Sequence, residues 1–440
     1  MTCRTLTIQN EKDWAAASRW LEGRTTPDAG VETAVREIIA NVRAKGDEAL
    51  VEYTRQFDAP DFTPPVRVTP QEIARAAASV PVESREYICG AAANIRAFHE
   101  AQMDRSWFVT RPDGTILGQR VLPVDAVGLY VPGGRGGNTP LISSLLMNAI
   151  PAQVAGVPRL AICTPPRADG SIDPHLLAAA HLLDIEEVYR VGGAWSIAAL
   201  ALGTQSMARV DVIAGPGNIY VTTAKRLLQG MVGIDMIAGP SEVLILADES
   251  ANVAWVAADM LSQAEHDALA CAICVTDSPR LAERLPQELE RQCAALPRAE
   301  IASRSLSDWG CIALVPNLTT AVAIANLVAP EHLEISTRDP WAVLPHIRHA
   351  GAAFLGQHSP EPVGDYYAGP NHVLPTLGTA RFSSALSVQT FCKKTSIIAA
   401  SPTFLEKNAE AITALARLEG LEAHARSVEA RRKRGAATIN

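Results

Sequence analysis

Apolar residues recur at helical spacing through the first hundred positions. Residues 11–22 read as a short amphipathic helix carrying Trp14 and Trp20. Residues 31–57 set Val35, Ile38, Ile39 and Val42 on one helical face, and residues 70–102 continue in the same character. Near residue 121 the pattern changes. Val121 to Val131 is apolar and extended, and it runs into Pro132-Gly133-Gly134-Arg135-Gly136-Gly137-Asn138. Short apolar strands then alternate with helices. The first series of strands is predicted at Arg159–Thr164, Glu187–Val191 and Val210–Ala214. The second falls at Val243–Ala247, Ala270–Val275, Cys311–Val315 and Ala352–Leu355. Alternation of this kind implies parallel sheets with helices on both faces. Gly239-Pro240 is the natural boundary between the two series, and residues 402–433 return to helix. The fold class expected is therefore α/β, with two related parallel-sheet domains between helical ends.

With 440 residues, 48% of them hydrophobic, the chain can build more than one large core. Its formal net charge of −8 comes from interspersed acids and bases, which argues against nucleic acid or an acidic membrane as partner. The one basic cluster, Arg431-Arg432-Lys433-Arg434, suits a solvated helix C-terminus. The N-terminal stretch lacks a basic segment followed by an apolar run, and no apolar run reaches the roughly 20 residues of a membrane helix. A soluble, cytoplasmic protein is expected. The eight cysteines are scattered, mostly in apolar runs, as reduced core cysteines are. Cys271 and Cys274 form a CxxC without a second pair, and the pair also reads as part of a buried strand.

Three glycine-rich turns follow predicted strands: Tyr130-Val-Pro-Gly-Gly-Arg-Gly-Gly, Val191-Gly-Gly-Ala-Trp195 and Ala214-Gly-Pro-Gly-Asn218. Glycine lets backbone N–H groups approach a phosphate, and a following helix start favours an anion. None is the GxGxxG fingerprint or a P-loop, so each is equally a plain strand–helix turn. Four segments carry candidate chemistry. Gln263 and His266 are three apart near the end of a predicted helix, about 60° from each other on one face, a spacing that serves a metal or only a helix end. Glu331 and His332 are adjacent in APEHLE, two titratable groups suited to acid–base work near neutral pH or to a surface turn. EPVGDYYAGPNHVLPT (361–376) is a loop-like stretch holding Asp365, Asn371 and His372, costly to order without a purpose. Glu419 and His424 near a helix start say little by themselves. Nitrogen and oxygen ligands from such segments suit zinc, and residue chemistry alone reaches a metal-dependent α/β enzyme and stops.

Taken together, the chain resembles the histidinol dehydrogenases. The likeness is carried by GLYVPGG (128–134), GPGNIYVTTAKR (215–226), GIDMIAGPSEVLILAD (233–248), LSQAEHD (261–267), APEHLE (329–334), GDYYAGPNHVLPT (364–376), GTARFSSALSV (378–388) and EGLEAHA (419–425). That resemblance implies a zinc- and NAD-dependent enzyme oxidising L-histidinol to L-histidine in two steps through a bound aldehyde, the last step of histidine biosynthesis. It implies zinc ligands at Gln263, His266, Asp365 and His424, and an acid–base pair at Glu331 and His332. Substrate contacts would fall on Ser241, His372 and Glu419 besides Gln263, His266, His332, Asp365 and His424. Cofactor contacts would fall on Tyr130, Trp195 and Asn218.

The resemblance also implies a homodimer with shared active sites, each completed by Glu419 and His424 of the other subunit. Its domain plan is an N-terminal helical arm (1–27), a first α/β domain (28–125 with 241–385), an NAD-binding α/β domain (126–240) and a C-terminal helical segment (386–440). Two departures from the family pattern stand out. Trp195 replaces a glutamine that contacts the cofactor, and the loop after Tyr130 is longer, at Arg135–Thr139. Arg135 could meet cofactor phosphates or an anionic substrate group, which keeps a related alcohol such as a sulfopropanediol open as the substrate.

Overall fold

The computed structural model describes residues 3–25, 29–133 and 139–432. In chain order the strands are β1 (Arg4–Thr7), β2 (Trp107–Thr110), β3 (Ile116–Pro123), β4 (Ala126–Tyr130), β5 (Arg159–Cys163), β6 (Glu187–Tyr189) and β7 (Val212–Ala214). They continue with β8 (Gly233–Ile234), β9 (Glu242–Ala247), β10 (Cys271–Thr276), β11 (Cys311–Leu314), β12 (His332–Ser336), β13 (Ala352–Leu355) and β14 (Cys392–Ala399). The larger of two compact units, Met1–Gln102 with Val124–Phe391, holds two sheets. One has six strands in the order β1-β11-β10-β9-β12-β13, the other five in the order β6-β5-β4-β7-β8. Every pairing in both is parallel. β9 and β10 are buried at every residue, as strands covered by helices on both faces must be. The α/β expectation with two parallel sheets holds.

The pattern and the fold part company at identifiable places. The helix read over 31–57 breaks at Gly46, whose φ of 60° lies in the left-handed region, giving Ala29–Lys45 and Asp47–Phe57. The run over 70–102 breaks at Val80-Pro81, giving Pro70–Ser79 and Val82–Glu100. These helices pack on the helices that flank the five-stranded sheet, not beside the six-stranded one with which residues 28–125 were expected to pack. Val31, Val35, Ile38 and Val42 share a core with Ile197, Ala198 and Ile213. Ile73, Ile88 and Ile95 share another with Leu145, Ile150 and Leu176. The expected N-terminal arm supplies an edge strand, β1, to the six-stranded sheet and buries Trp14 against it.

Val121–Val131 is not one extended segment but the end of β3 followed by β4. The Asp211 carboxylate accepts the N–H groups of Asp125 and Ala126 and so fixes where β4 begins. β3 belongs to the second unit, Met103–Pro123 with Cys392–Asn440. There it pairs antiparallel with β2 and with β14, so the C-terminal part is a strand before it is helical. Helices Pro402–Leu418 and Glu422–Glu429 follow, parted by Gly420. Cys271 and Cys274 lie inside buried β10, where burial pushes the Cys271 thiol up to about 12, and every described cysteine is free. Among the described residues no helix is long and apolar enough to cross a membrane.

Candidate active site

APEHLE is not a surface turn. Ala329 takes a left-handed conformation at the end of helix Leu318–Val328, and the chain then enters β12 with His332 as its first residue. β12 lies beside β9, so His332 is opposite Val243, and Glu331 and Ser241 lie just before their strands. This cluster therefore sits at the amino edge of the six-stranded sheet. Ligands in open α/β sheets more often bind beyond the carboxyl edge. Helix Val253–Ala264 runs back from β9 and brings Gln263 and His266 to the same edge before β10 begins.

One residue orients both members of the pair. The Glu242 N–H donates to Glu331 Oε2 at 2.9 Å, and the Glu242 carbonyl accepts from His332 Nδ1 at 3.1 Å. With its proton committed at Nδ1, the His332 ring carries its lone pair on Nε2. That atom is buried, has no hydrogen-bond partner among the described residues, and lies 4.0 Å from Asp365 Oδ1. Burial lowers His332 to about 4, which keeps the ring neutral at physiological pH. Burial likewise holds the Glu331 carboxyl well above the ordinary carboxylate range. Glu242 is anchored by Arg24, whose Nη1 donates to Glu242 Oε2 at 2.8 Å, and by the Leu377 N–H.

The other expected residues divide. Asp365 is on the short helix Glu361–Tyr366, and its carbonyl accepts from His372 Nδ1 at 3.0 Å. Asn371, from the same loop, is structural: it donates to the Met147 carbonyl and accepts the Val373 N–H. Gln263 is fully buried, and among the described residues neither of its amide atoms has a hydrogen-bond partner. The ligand atoms of His266, Glu361 and Asp365 lie within 4.8 Å of one another, a mixed nitrogen and oxygen set. Glu361 was missed by residue reading, although its spacing of four from Asp365 on one helix was the available signal. Burial and the neighbouring Asp365 push its carboxyl up to about 8. Glu419 and His424 are exposed and belong to the second unit.

The described residues of the three glycine turns, 130–133, 191–195 and 214–218, follow β4, β6 and β7 at the carboxyl edge of the five-stranded sheet. Gly215, at φ 126°, leaves no room for a Cβ, which would fall 2.0 Å from the Tyr130 carbonyl oxygen. Its N–H donates to Asp235, and Lys225 both donates to its carbonyl and pairs with Asp235 at 2.5 Å. The Tyr130 hydroxyl is buried and accepts the Gly193 N–H. Asn218 caps helix Ile219–Leu228, with Oδ1 accepting the Tyr220 and Val221 N–H groups. Trp195 is packed rather than open: its ring lies over Gly193 and stacks with Tyr53 and Phe57 at 5.7 and 5.4 Å. Arg135 and its neighbours through Asn138 lie outside the described residues.

Comparison with known proteins decides the family. The family model for histidinol dehydrogenase matches residues 22–432. The chain belongs to the histidinol dehydrogenase family. It is accordingly an enzyme, an oxidoreductase. The histidinol dehydrogenase of Nitratidesulfovibrio vulgaris is 66% identical over 432 residues, covering 98% of this chain and 99% of that one. That of Bacillus subtilis is 53% identical over 410 residues, covering 92% and 95%. The crystal structure of the family member from Elizabethkingia anophelis superposes with a TM-score of 0.91 at 36% identity, covering 98% of each chain.

Proposed function

We propose that the protein oxidises L-histidinol to L-histidine through bound L-histidinal, with NAD as acceptor in both steps, closing histidine biosynthesis. The reading rests above all on His332 Nε2, a neutral, unpartnered base beside Glu331 at the amino edge of the six-stranded sheet. Gln263, His266, Asp365 and His424 would hold zinc, with Glu361 adjoining them. Ser241, His372 and Glu419 would contact the substrate, and Tyr130 and Asn218 the cofactor. When bound, zinc would anchor the substrate's imidazole and amine, and NAD would accept hydride.

The chain's own residues supply the proton chemistry. His332 Nε2 accepts the hydroxyl proton, since Nδ1–H stays fixed on the Glu242 carbonyl. Glu331 removes a proton from the water that adds to the aldehyde. Burial makes its carboxylate a stronger base than an exposed one, and the Glu242 N–H holds it in place. Once His332 has passed that first proton to solvent, its Nε2 accepts the hydroxyl proton of the hydrated aldehyde as the second hydride leaves. A positioned base of this kind contributes roughly 10²–10⁴-fold.

Homodimerisation, with Glu419 and His424 completing the neighbouring site, is part of the same proposal. Exposed apolar side chains in the second unit support it: Phe108, Ile398, Leu415 and Leu418 are all open, Leu418 to 84%. Free cysteines throughout the described chain fit the reducing cytoplasm. A sulfonated diol is not favoured as substrate, because relatives named histidinol dehydrogenase match over almost the whole chain. The test is NADH formed per L-histidinol supplied, with and without a chelator. About two NADH per substrate, lost on chelation and restored by zinc, is expected from the two-step course. No NADH from histidinol by zinc-loaded protein would overturn the reading.

A further inference from the structure

Behind the site lies a buried acid that the chemistry above does not use. Glu334 is two residues beyond His332 on β12, so both side chains face the same side of the sheet. Its Oε1 accepts the Glu361 N–H at 2.8 Å. That N–H opens helix Glu361–Tyr366, whose preceding residue is Pro360 and which has no side-chain cap of its own. Glu334 thus satisfies a donor that would otherwise be orphaned at a buried helix start. The same carboxyl shares a hydrogen bond with Asp259, which sits on helix Val253–Ala264 one turn before Gln263. Two carboxyls in one hydrogen bond must hold a proton between them. Burial provides for this by raising Asp259 to about 6 and Glu334 well above its ordinary value.

We propose that Glu334 and Asp259 are positioning residues for the metal site, a hydrogen-bonded acid pair that ties the two ligand-bearing helices to β12. One helix ends in Gln263 with His266 just beyond; the other carries Glu361 and Asp365. Their separation sets the distances among the donors, and Glu334 touches both. The inference rests on the zinc reading above and adds to it two residues that contact neither metal nor substrate.

The test compares Glu334→Leu with Glu334→Gln in the full chain. Gln keeps an acceptor for the Glu361 N–H and a partner for Asp259; Leu keeps neither. Two readouts are taken: zinc dissociation constants by competition with a chromophoric chelator, and amide hydrogen exchange of residues 361–366 in stripped protein. Glu334→Leu is expected to weaken zinc by roughly 10–100-fold, the usual range for an outer-shell partner, and to speed exchange in that segment. Glu334→Gln should leave both near the unchanged chain. Zinc bound equally by all three proteins, or Gln as damaging as Leu, would overturn the brace while leaving the zinc reading intact. No zinc bound by the unchanged chain, even with the exchange difference present, would overturn the zinc reading and the metal-positioning role together. Should Glu334→Leu not fold, Asp259→Ala against Asp259→Asn tests the other half of the brace by zinc affinity: Ala is expected to weaken zinc and Asn to leave it near the unchanged chain, and equal affinities would overturn the pair.

Discussion

Arg24→Met removes the cation on which the acid–base pair indirectly depends. Arg24 belongs to the 3-10 helix Ser18–Thr25 and is far in sequence from the site it serves. Its Nη1 donates to Glu242 Oε2 at 2.8 Å, with side-chain exposures of 2% and 7% for the two residues. Nε donates to the Leu269 carbonyl, and Nη2 to the Pro240 and Ser241 carbonyls, each at 3.1 Å. Methionine fills most of the stem's volume, so packing changes little; the charge and the donors are what vanish. Glu242 then remains in a buried place with main-chain donors, the Leu377 N–H among them, and no cation beside it among the described residues. Breaking a buried ion pair from one side costs about 3–5 kcal/mol, because the other charge stays unpaired. Burial already raises the Glu242 carboxyl against the pull of Arg24, so without Arg24 it takes up a proton and recovers part of that cost. A loss of about 3 kcal/mol is expected, at the low end of the range.

The assay is urea unfolding, read as a shift in midpoint at unchanged slope. The double variant Arg24→Met/Glu242→Leu should recover at least about half of the loss, since an apolar pair leaves no buried charge. Turnover should nevertheless fall in Arg24→Met. The Glu242 main chain holds Glu331 and His332 directly, and relaxation of β9's first residue moves both. A loss below about 1 kcal/mol, or a double variant less stable than the single, would refute the argument that the ion pair is what makes this buried charge tolerable.

Asp58 is a second group whose burial has consequences for pH. Its Oδ2 is buried beside Gly192 without a partner among the described residues, and burial raises the carboxyl to about 7 from an ordinary 3.8. The folded state therefore holds this proton more tightly than the unfolded state, and stability falls as pH rises from about 4 to about 7. Asp58→Asn should flatten that fall, gaining on the order of 1–2 kcal/mol at pH 8 after solvent screening and nothing at pH 4; equal midpoints at pH 8 would refute it. Trp195→Gln should uncover the Gly193 backbone and lower KM for NAD, at a stability loss of about 2–4 kcal/mol from the lost aromatic stack. A raised KM would show that the indole contacts the cofactor after all. Glu331→Gln and His424→Ala should each be inactive alone, yet co-expressed they should regain about a quarter of normal activity, as two-fold symmetric sharing of sites requires. No recovery in a confirmed mixed dimer would rule out shared sites.

How much of this was legible beforehand follows from what each element asks of its sequence. The parallel strands β5, β9, β10 and β11 were readable because strands buried on both faces are short continuous apolar runs, and the edge strand β13 because its run Ala-Ala-Phe-Leu is apolar as well. β12 was not, since its His-Leu-Glu-Ile-Ser pattern places two titratable side chains in a fully buried strand. Local rules fail where polar groups are buried for use, and β12 carries both a proposed base and the acid that braces it. β2, β3 and β14 escaped for another reason: Cys392 pairs with Pro123, and no local signal records a partner so distant along the chain. The same limit misplaced the helices between residues 29 and 100, because periodicity shows that a face is buried but not which sheet buries it. Glu361 hid between two prolines that suggested a loop, although Glu334 supplies from another strand the cap its helix lacks. Gln263 and His266 were legible as a spacing, whereas Arg24 was legible in no way at all. Its importance lies in a carboxylate 218 residues away whose main chain, not its side chain, meets the proposed catalytic pair. Positioning residues of this kind are chosen by the fold rather than by the reaction, and so they carry no motif of their own.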